Sequence, residues 1–132
     1  MPERGLRLDF VRPEAFQTYP ERVMDPIAYT VTARFSKPEI VSEYLTWLAG
    51  GHVRAVCDAG ALSALVVLAD PTPGEPPTLE VRYLFPNRAT LERYFTEYAP
   101  KLRAEGLARF GPASGVTFSR STGAVAHSER NG

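Results

Sequence analysis

His52 is the residue of this sequence best suited to acid–base chemistry. It lies in the segment GGHV, residues 50–53, inside the most apolar part of the chain. An imidazole whose pKa lies near neutrality can accept or release a proton, or donate a hydrogen bond to a substrate carbonyl. A helix break at Gly50 and Gly51 would let the ring approach a cavity at the edge of a sheet. The alternative is a buried His whose ring bonds to a backbone carbonyl or to a neighbouring Tyr.

Polar residues of two predicted strands form a second candidate set for ligand binding. Alternation along the strands places Thr32, Arg34, Glu80 and Arg82 on one face of a sheet. Arg34 and Arg82 could hold an anionic or phenolic ligand, because a guanidinium binds a carboxylate through two parallel hydrogen bonds. The alternative is a cross-strand salt bridge at a subunit interface, which contributes little by itself.

Metal and cofactor sites have little support in the sequence. Cys57 is the only cysteine and has no CxxC or CxH neighbour, so we predict no metal site and no disulfide. There is no glycine-rich phosphate loop and no dinucleotide fingerprint. We therefore predict that the protein uses no cofactor. A haem with His52 as axial ligand is a lesser alternative, without a second haem-specific feature.

Composition limits the class of protein and of partner. The chain has 132 residues, of which 44% are apolar and 23% charged, as in a single globular domain. Its 15 basic residues balance 15 acidic ones, so we expect no nucleic-acid partner. No apolar stretch approaches the ~18 residues of a membrane span. The single cysteine and the absence of a signal-peptide core at the N-terminus favour a cytoplasmic protein.

The predicted elements must place these candidates. Residues 26–35 alternate as a half-buried strand, and Ser36 and Glu39 predict a capping box that starts a helix ending near Gly60. Further along, the pattern predicts strands at 61–70 and 78–85, joined by a loop at 71–77. A helix at 87–111, capped by Asn87, and a last strand at 115–121 follow. Residues 1–25 are expected to be an N-terminal extension or arm, 26–121 the domain, and 122–132 a flexible tail.

This β-α-β-β-α-β order predicts a ferredoxin-like α+β fold, with a four-stranded antiparallel sheet and two helices on one face. The other face would expose one apolar register of strand 61–70 among polar side chains. Pairing of two sheet faces around a two-fold axis would cover it, so we predict a homodimer. The alternative is a monomer with a solvated polar face.

The chain resembles a known superfamily at "YTVTARF", "EYLTWLAGGHVRAVCDAGAL" and "VRYLFPNRATLERYFTEYAPKLRAEGLARFG". These segments are similar to the dimeric α/β-barrel superfamily of ferredoxin-like proteins. They look most like a small bacterial family of uncharacterised function, in which a Tyr-Leu-x-Trp-Leu helix leads into Gly-His-Val. The resemblance covers about residues 26–121. It implies a dimeric barrel whose relatives include cofactor-free monooxygenases, lactone isomerases and haem-degrading enzymes, and the fold alone does not select among these.

Three functions follow as hypotheses. The first is a cofactor-independent oxygenase or isomerase acting on a small organic compound, with His52 as acid or base and Arg34 with Arg82 as ligand clamp. The second is a small-molecule binder that uses the same cavity without catalysis. The third is a structural or interaction homodimer with His52 packed in the core. An enzyme requires His52 to reach a polar pocket with a perturbed imidazole pKa.

Overall fold

The computed structural model describes residues 25–131, so the predicted N-terminal arm lies almost wholly outside the described residues. The strands are β1 (Ile27–Phe35), β2 (Ser63–Leu68), β3 (Thr78–Phe85) and β4 (Val116–Ala124). Helix α1 has three consecutive segments, α-helical Ile40–Trp47, π-helical Leu48–His52 and α-helical Val53–Asp58. Helix α2 is likewise divided into Arg88–Arg93, π-helical Tyr94–Tyr98 and Ala99–Arg109. A short 3-10 turn, Pro112–Ser114, leads into β4.

The strands form one antiparallel sheet in the order β2-β3-β1-β4. Strand β3 lies between β1 and β2, the two strands that α1 connects. Strand β1 lies in turn between β3 and β4, the two strands that α2 connects. The fold is therefore two interleaved split β-α-β units, and the predicted ferredoxin-like architecture is confirmed.

The core lies between the helices and one face of the sheet. Every second residue of β1 and β3 faces it; Tyr29, Phe35, Tyr83 and Phe85 are at 3% exposure or less, and Val31 is half-buried. Burial of a large apolar side chain contributes about 1.5–3 kcal/mol, so this face carries most of the stabilisation. None of the helices in the described part of the chain combines the length and apolar character needed to cross a membrane.

The opposite face of the sheet is not covered by the helices. Its cross-strand rows are largely polar; two of them run Leu65–Arg82–Thr30–Ser121 and Val67–Glu80–Thr32–Ser119. Leu65, at the β2 edge, is 64% exposed in the single chain. The sequence-based assignment of the polar residues to the open face is thus correct.

Two helix features differ from the sequence-based expectation. Ser36 does not cap α1, because its hydroxyl donates to the Gly115 carbonyl at 3.1 Å, and the capping residue Glu39 makes no side-chain cap bond. Ser36 is held there because its backbone N–H also donates to that carbonyl where β1 meets β4. Asn87 caps α2 as predicted, since its Oδ1 accepts a hydrogen bond from the Thr90 N–H at 2.8 Å.

The last strand is longer than predicted. Residues 122–124, expected to belong to a flexible tail, extend β4 to Ala124, which pairs with Ile27. The Val125 N–H also donates to the Pro26 carbonyl at 3.0 Å. The strand continues because β1 offers backbone hydrogen-bond partners as far back as its first residue, Ile27. Backbone pairing does not depend on the polarity of the side chains.

Candidate functional site

A pocket opens between the helices and the helix-facing side of the sheet, next to edge strand β4. It encloses about 50 Å³, and about 480 Å³ when its open mouth is counted. Its walls are mainly aromatic and its rim carries two arginines and a leucine. The lining includes Tyr29, Tyr44, Trp47, His52, Tyr83, Tyr94, Arg103, Gly106, Leu107, Phe118 and Arg120. The enclosed part has room for a few water molecules, and only the mouth is wide enough for a ring.

A π-helical turn in α1 brings His52 into this pocket. In a regular α-helix, Trp47 and His52 would point about 140° apart, because successive residues turn by about 100°. The segment Leu48–His52 is not a regular helical turn: it is kinked at Gly51, whose φ of 145° lies outside the helical region, and the kink changes the direction of His52 relative to Trp47. The two rings therefore stack with centroids 4.1 Å apart and an interplanar angle of 22°. The Gly50–Gly51 pair thus acts as the break that the sequence suggested.

The His52 ring is held as a neutral imidazole with an unused nitrogen. Its Nδ1 is buried and has no hydrogen-bond partner among the described residues. Burial lowers the pKa of His52 below its ordinary 6.5, and the nearby Glu105 carboxylate opposes this shift. A buried polar atom without a partner is uncommon in proteins and is often found at a functional site.

Buried tyrosines line the floor of the pocket. Burial raises the pKa of both Tyr44 and Tyr94 to about 12, and it raises the pKa of Tyr83 further. The Tyr29 hydroxyl accepts a hydrogen bond from Arg103 Nη2 at 3.4 Å. The phenols of Tyr44, Tyr83 and Tyr94 are therefore protonated at neutral pH and available as hydrogen-bond donors.

Arg103 and Arg120 bring positive charge to the rim. Arg103 comes from α2 and lies over the Phe95 ring at 5.6 Å, whereas Arg120 comes from β4. Strand pairing sets Arg120 opposite Val31, on the helix-facing side of the sheet. Sequence reasoning missed both residues. Alternation from Val116 could have placed Arg120, but nothing in the pattern singled out Arg103.

The structure separates the two candidate sets of the sequence analysis. His52 lines the pocket on the helix side, whereas alternation puts Thr32, Arg34, Glu80 and Arg82 on the open face. There, Arg82 Nε donates to Glu80 Oε1 at 2.8 Å, and Arg34 Nη1 lies 3.5 Å from Thr78 Oγ1. The sheet stands between the imidazole and these guanidinium groups, so they do not form one site with His52.

Cys57 lies away from this pocket. It lines a separate surface pocket between α1 and β2, together with Leu45, Leu48 and Val66, and it is a free thiol. Within residues 25–131, no group of three or more His, Cys, Asp or Glu side chains is placed to hold a metal ion.

Sequence comparison identifies the family. Residues 26–121 match the model of a domain of unknown function, DUF4286, a range that contains every residue lining the pocket. The chain belongs to the DUF4286 family. The expected membership of an uncharacterised family is thus confirmed. A search of curated protein sequences finds no match.

Solved structures share the fold of this DUF4286 chain at low sequence identity. A dimeric ferredoxin-like protein from an uncultured marine organism is 15% identical with a TM-score of 0.65, covering 79% of this chain and 98% of its own. A monooxygenase from Streptomyces coelicolor, solved with the ligand nanaomycin D, is 12% identical with a TM-score of 0.59 over 89% of this chain and all of its own. A variant of SnoaB, a cofactor-independent oxygenase from Streptomyces nogalater, is 10% identical with a TM-score of 0.53, covering 79% and 96%. These likenesses confirm the predicted fold and leave the chemistry to the residues of the site.

Proposed function

We propose that this DUF4286 protein is a cofactor-independent enzyme of the oxygenase or isomerase type, acting on a small organic compound bound in the aromatic pocket. The observation that carries the proposal is the position of the His52 ring in the pocket wall, stacked on Trp47, with an Nδ1 that has no hydrogen-bond partner among the described residues. A neutral imidazole in a partly dry pocket is suited to remove a proton from a bound substrate. Structural neighbours that are cofactor-independent oxygenases or monooxygenases support this class of function.

The shared step is proton abstraction from an activated C–H next to a carbonyl or aromatic ring. The C–H electrons stay on the substrate as a delocalised anion, and the proton is held on the imidazolium of His52. In an isomerase the same proton returns to a different carbon, with no net gain or loss of atoms. In an oxygenase the anion of a CH₂ group reacts with molecular oxygen and takes up the proton to form a hydroperoxide. Loss of water then leaves a carbonyl, so that R₂CH₂ and O₂ give R₂C=O and H₂O.

Protonated tyrosines support the developing anion. Tyr44 and Tyr94 keep their phenolic protons at neutral pH and can donate hydrogen bonds to an enolate or phenolate oxygen. Such donors stabilise negative charge best when they are fixed before the reaction, as buried side chains are. The flat walls formed by Trp47 and Phe118 fit an aromatic substrate.

A proton-exchange assay with 2-indanone tests this function. The CH₂ groups of this probe lie between an aromatic ring and a carbonyl, so a base in the pocket exchanges their protons for deuterium in D₂O. We expect the wild-type protein to accelerate exchange and His52→Gln to lose the acceleration, with His127→Ala as the matched control. Oxygen uptake distinguishes an oxygenase from an isomerase.

An NMR titration of His52, assigned with His127→Ala, complements this assay. We expect a signal with a pKa below 6.5 that moves when 2-indanone is added. A signal that moves while no exchange occurs indicates a binder without catalysis. A signal that does not respond, together with equal exchange in wild type and His52→Gln, would show that His52 is a packed core residue and would overturn the proposal.

We also propose that two copies pair through their open sheet faces. Leu65 is 64% exposed on this face, and large exposed apolar side chains mark interaction surfaces. Structural neighbours described as dimeric ferredoxin-like proteins support the pairing. Leu65→Lys is expected to shift the protein from dimer to monomer in analytical ultracentrifugation, whereas Tyr98→Lys, on the helix side, leaves the dimer intact. A wild-type monomer at micromolar concentration contradicts this part.

Three narrower expectations remain proposals. The open sheet face is proposed as a second ligand-contacting surface in the dimer, formed by Thr32, Arg34, Glu80 and Arg82. Benzoate binding to Arg82→Gln tests this. The folded domain is proposed to span residues 26–124, because β4 extends to Ala124, and the residues before 26 are proposed to form an arm. A truncation starting at residue 26 tests this by its melting temperature. The protein is proposed to work in the bacterial cytoplasm, in keeping with the free thiol of Cys57, and cell fractionation tests this.

A further inference from the structure

We infer that the pocket selects aromatic compounds that carry an anionic oxygen, held by Arg103 and Arg120 at the rim. This inference rests on the proposed function in using the same pocket, and it names the class of compound that the pocket takes. It depends on the charge and shape of the lining residues, not on whether His52 removes a proton.

The side chains that line the pocket carry net positive charge. Its lining holds two guanidinium groups and no carboxylate, although the whole chain has equal numbers of basic and acidic residues. Within the described range, neither Arg103 nor Arg120 forms an ion pair, whereas Arg54, Arg82 and Arg109 do. The carboxylate of Glu105 acts on His52, but its side chain is not part of the lining. An anion at the rim would therefore meet positive charge that no carboxylate of the pocket lining offsets.

The two arginines converge on the mouth of the pocket. They come from different layers of the fold, Arg103 from α2 and Arg120 from the sheet edge, and both border the same mouth. The charge of Arg120 lowers the pKa of both Tyr44 and Tyr94 against the larger effect of burial. Arg120 thus reaches the pocket electrostatically, and Arg103 reaches it through its hydrogen bond to Tyr29. Guanidinium groups placed in this way suit a carboxylate or phenolate oxygen.

The pocket has a shape that suits a flat ligand. Aromatic rings form its walls, and the Trp47 and His52 rings stack with centroids 4.1 Å apart to form one of them. Rings of this kind favour flat aromatic ligands over saturated ones of equal size. Because the enclosed space is only about 50 Å³, the ring of the ligand must occupy the mouth, where Leu107 is 56% exposed. The anionic group then lies at the arginine rim.

Intrinsic fluorescence gives a direct binding assay, because Trp47 is the only tryptophan of the chain and lies in the pocket wall. The probes are benzoate, its neutral counterpart benzamide, and the non-aromatic cyclohexanecarboxylate, each titrated into the full-length protein. We expect benzoate to bind about tenfold more tightly than either of the other two. Arg103→Gln and Arg120→Gln should each remove the preference for benzoate over benzamide, whereas the exposed Arg93→Gln, on the same helix as Arg103, leaves it unchanged.

Several results would overturn the inference. Equal binding of benzoate and benzamide, equal loss in Arg93→Gln, or no binding of any probe would each do so. Loss of binding in Arg82→Gln alone would move the anion site to the open face. The proposed function fails separately, because it is judged by 2-indanone exchange and its dependence on His52. Circular dichroism of each arginine variant confirms that a loss of binding is not a loss of fold.

Discussion

Trp47 and His52 stack with their ring centroids 4.1 Å apart, and a π-helical turn with Gly51 at φ 145° makes this contact possible. One face of the imidazole is thereby covered, while Nδ1 stays buried and has no hydrogen-bond partner within residues 25–131. The stack fixes the orientation of the ring, and preorganised orientation is what a catalytic base needs. Because the two rings touch, the fluorescence of Trp47, the only tryptophan of the chain, should respond to protonation of His52.

Acid destabilisation that depends on His52 is the first prediction. Burial lowers the folded-state pKa of His52, so between this value and 6.5 the unfolded chain binds a proton that the folded chain does not. The free energy of unfolding therefore falls as the pH falls through 6.5 towards the folded pKa. Urea unfolding at a series of pH values measures this slope.

His52→Gln should reduce the slope in this pH range, because Gln does not titrate. His127→Ala is the matched control, since the His127 side chain is 78% exposed and pairs with Glu129. The effect of Glu105 on His52 is separated by Glu105→Gln, which should lower the pKa of His52 further. An unchanged slope in His52→Gln would contradict the burial argument.

The two adjacent glycines of α1 should respond in opposite ways to substitution by alanine. A Cβ at either position meets no heavy atom within 4 Å, so the two sites differ in backbone conformation and not in space. Gly50→Ala should stabilise the protein by about 0.4–1 kcal/mol, because Ala restricts the unfolded chain. Gly51→Ala should destabilise it by about 1–2 kcal/mol, because φ 145° is strained for any residue with a Cβ.

Thermal unfolding of both variants measures these effects, and Trp47 emission reports the stack. Gly51→Ala should also change the emission, because relief of the strain requires the π-turn to move. If both variants have the same stability, the positive φ at Gly51 does not constrain the helix.

Loss of the α2 cap is the third prediction. Asn87 Oδ1 accepts hydrogen bonds from the Thr90 N–H at 2.8 Å and from the Thr90 hydroxyl at 2.9 Å. Asn87→Ala should lower the free energy of unfolding by about 1 kcal/mol, whereas Asn87→Ser should retain most of it. Equal losses in the two variants would mean that the side-chain oxygen does not support the helix.

The sequence predicted the fold better than the site, and particular residues show why. Alternation has a period of two, so Tyr29, Val81 and Tyr83 could be assigned to the core face, and Asn87 had the side chain of a cap. A π-turn adds one residue to a helix and leaves no trace in a 3.6-residue pattern. For this reason Tyr98, which follows Leu91 and Tyr94 at helical spacing, is 41% exposed although those two residues are buried.

The same limits explain which site residues were found. His52 stood out by its residue type, and the glycines before it indicated a break. Thr32, Arg34, Glu80 and Arg82 were assigned to the correct face, but that face lies across the sheet from His52. The joint presence of Arg103 and Arg120 at one rim depends on how α2 packs against the edge of the sheet, which no local pattern encodes.

Gly106→Ala tests whether the aromatic pocket is a binding site. A Cβ at Gly106 would lie 3.2 Å from Cη2 of Trp47, closer than most Cβ contacts, so the indole must shift by a few tenths of an ångström. Overpacking of this kind should weaken benzoate binding about tenfold and change Trp47 emission. Helix stability itself should not fall, because Ala is a better helix former than Gly. Gly123→Ala is the matched control, since a Cβ there meets nothing within 4 Å and lies outside the pocket. If Gly106→Ala and Gly123→Ala bind benzoate equally well, the ligand does not use the space beside Trp47, and the pocket is part of the core and not a site.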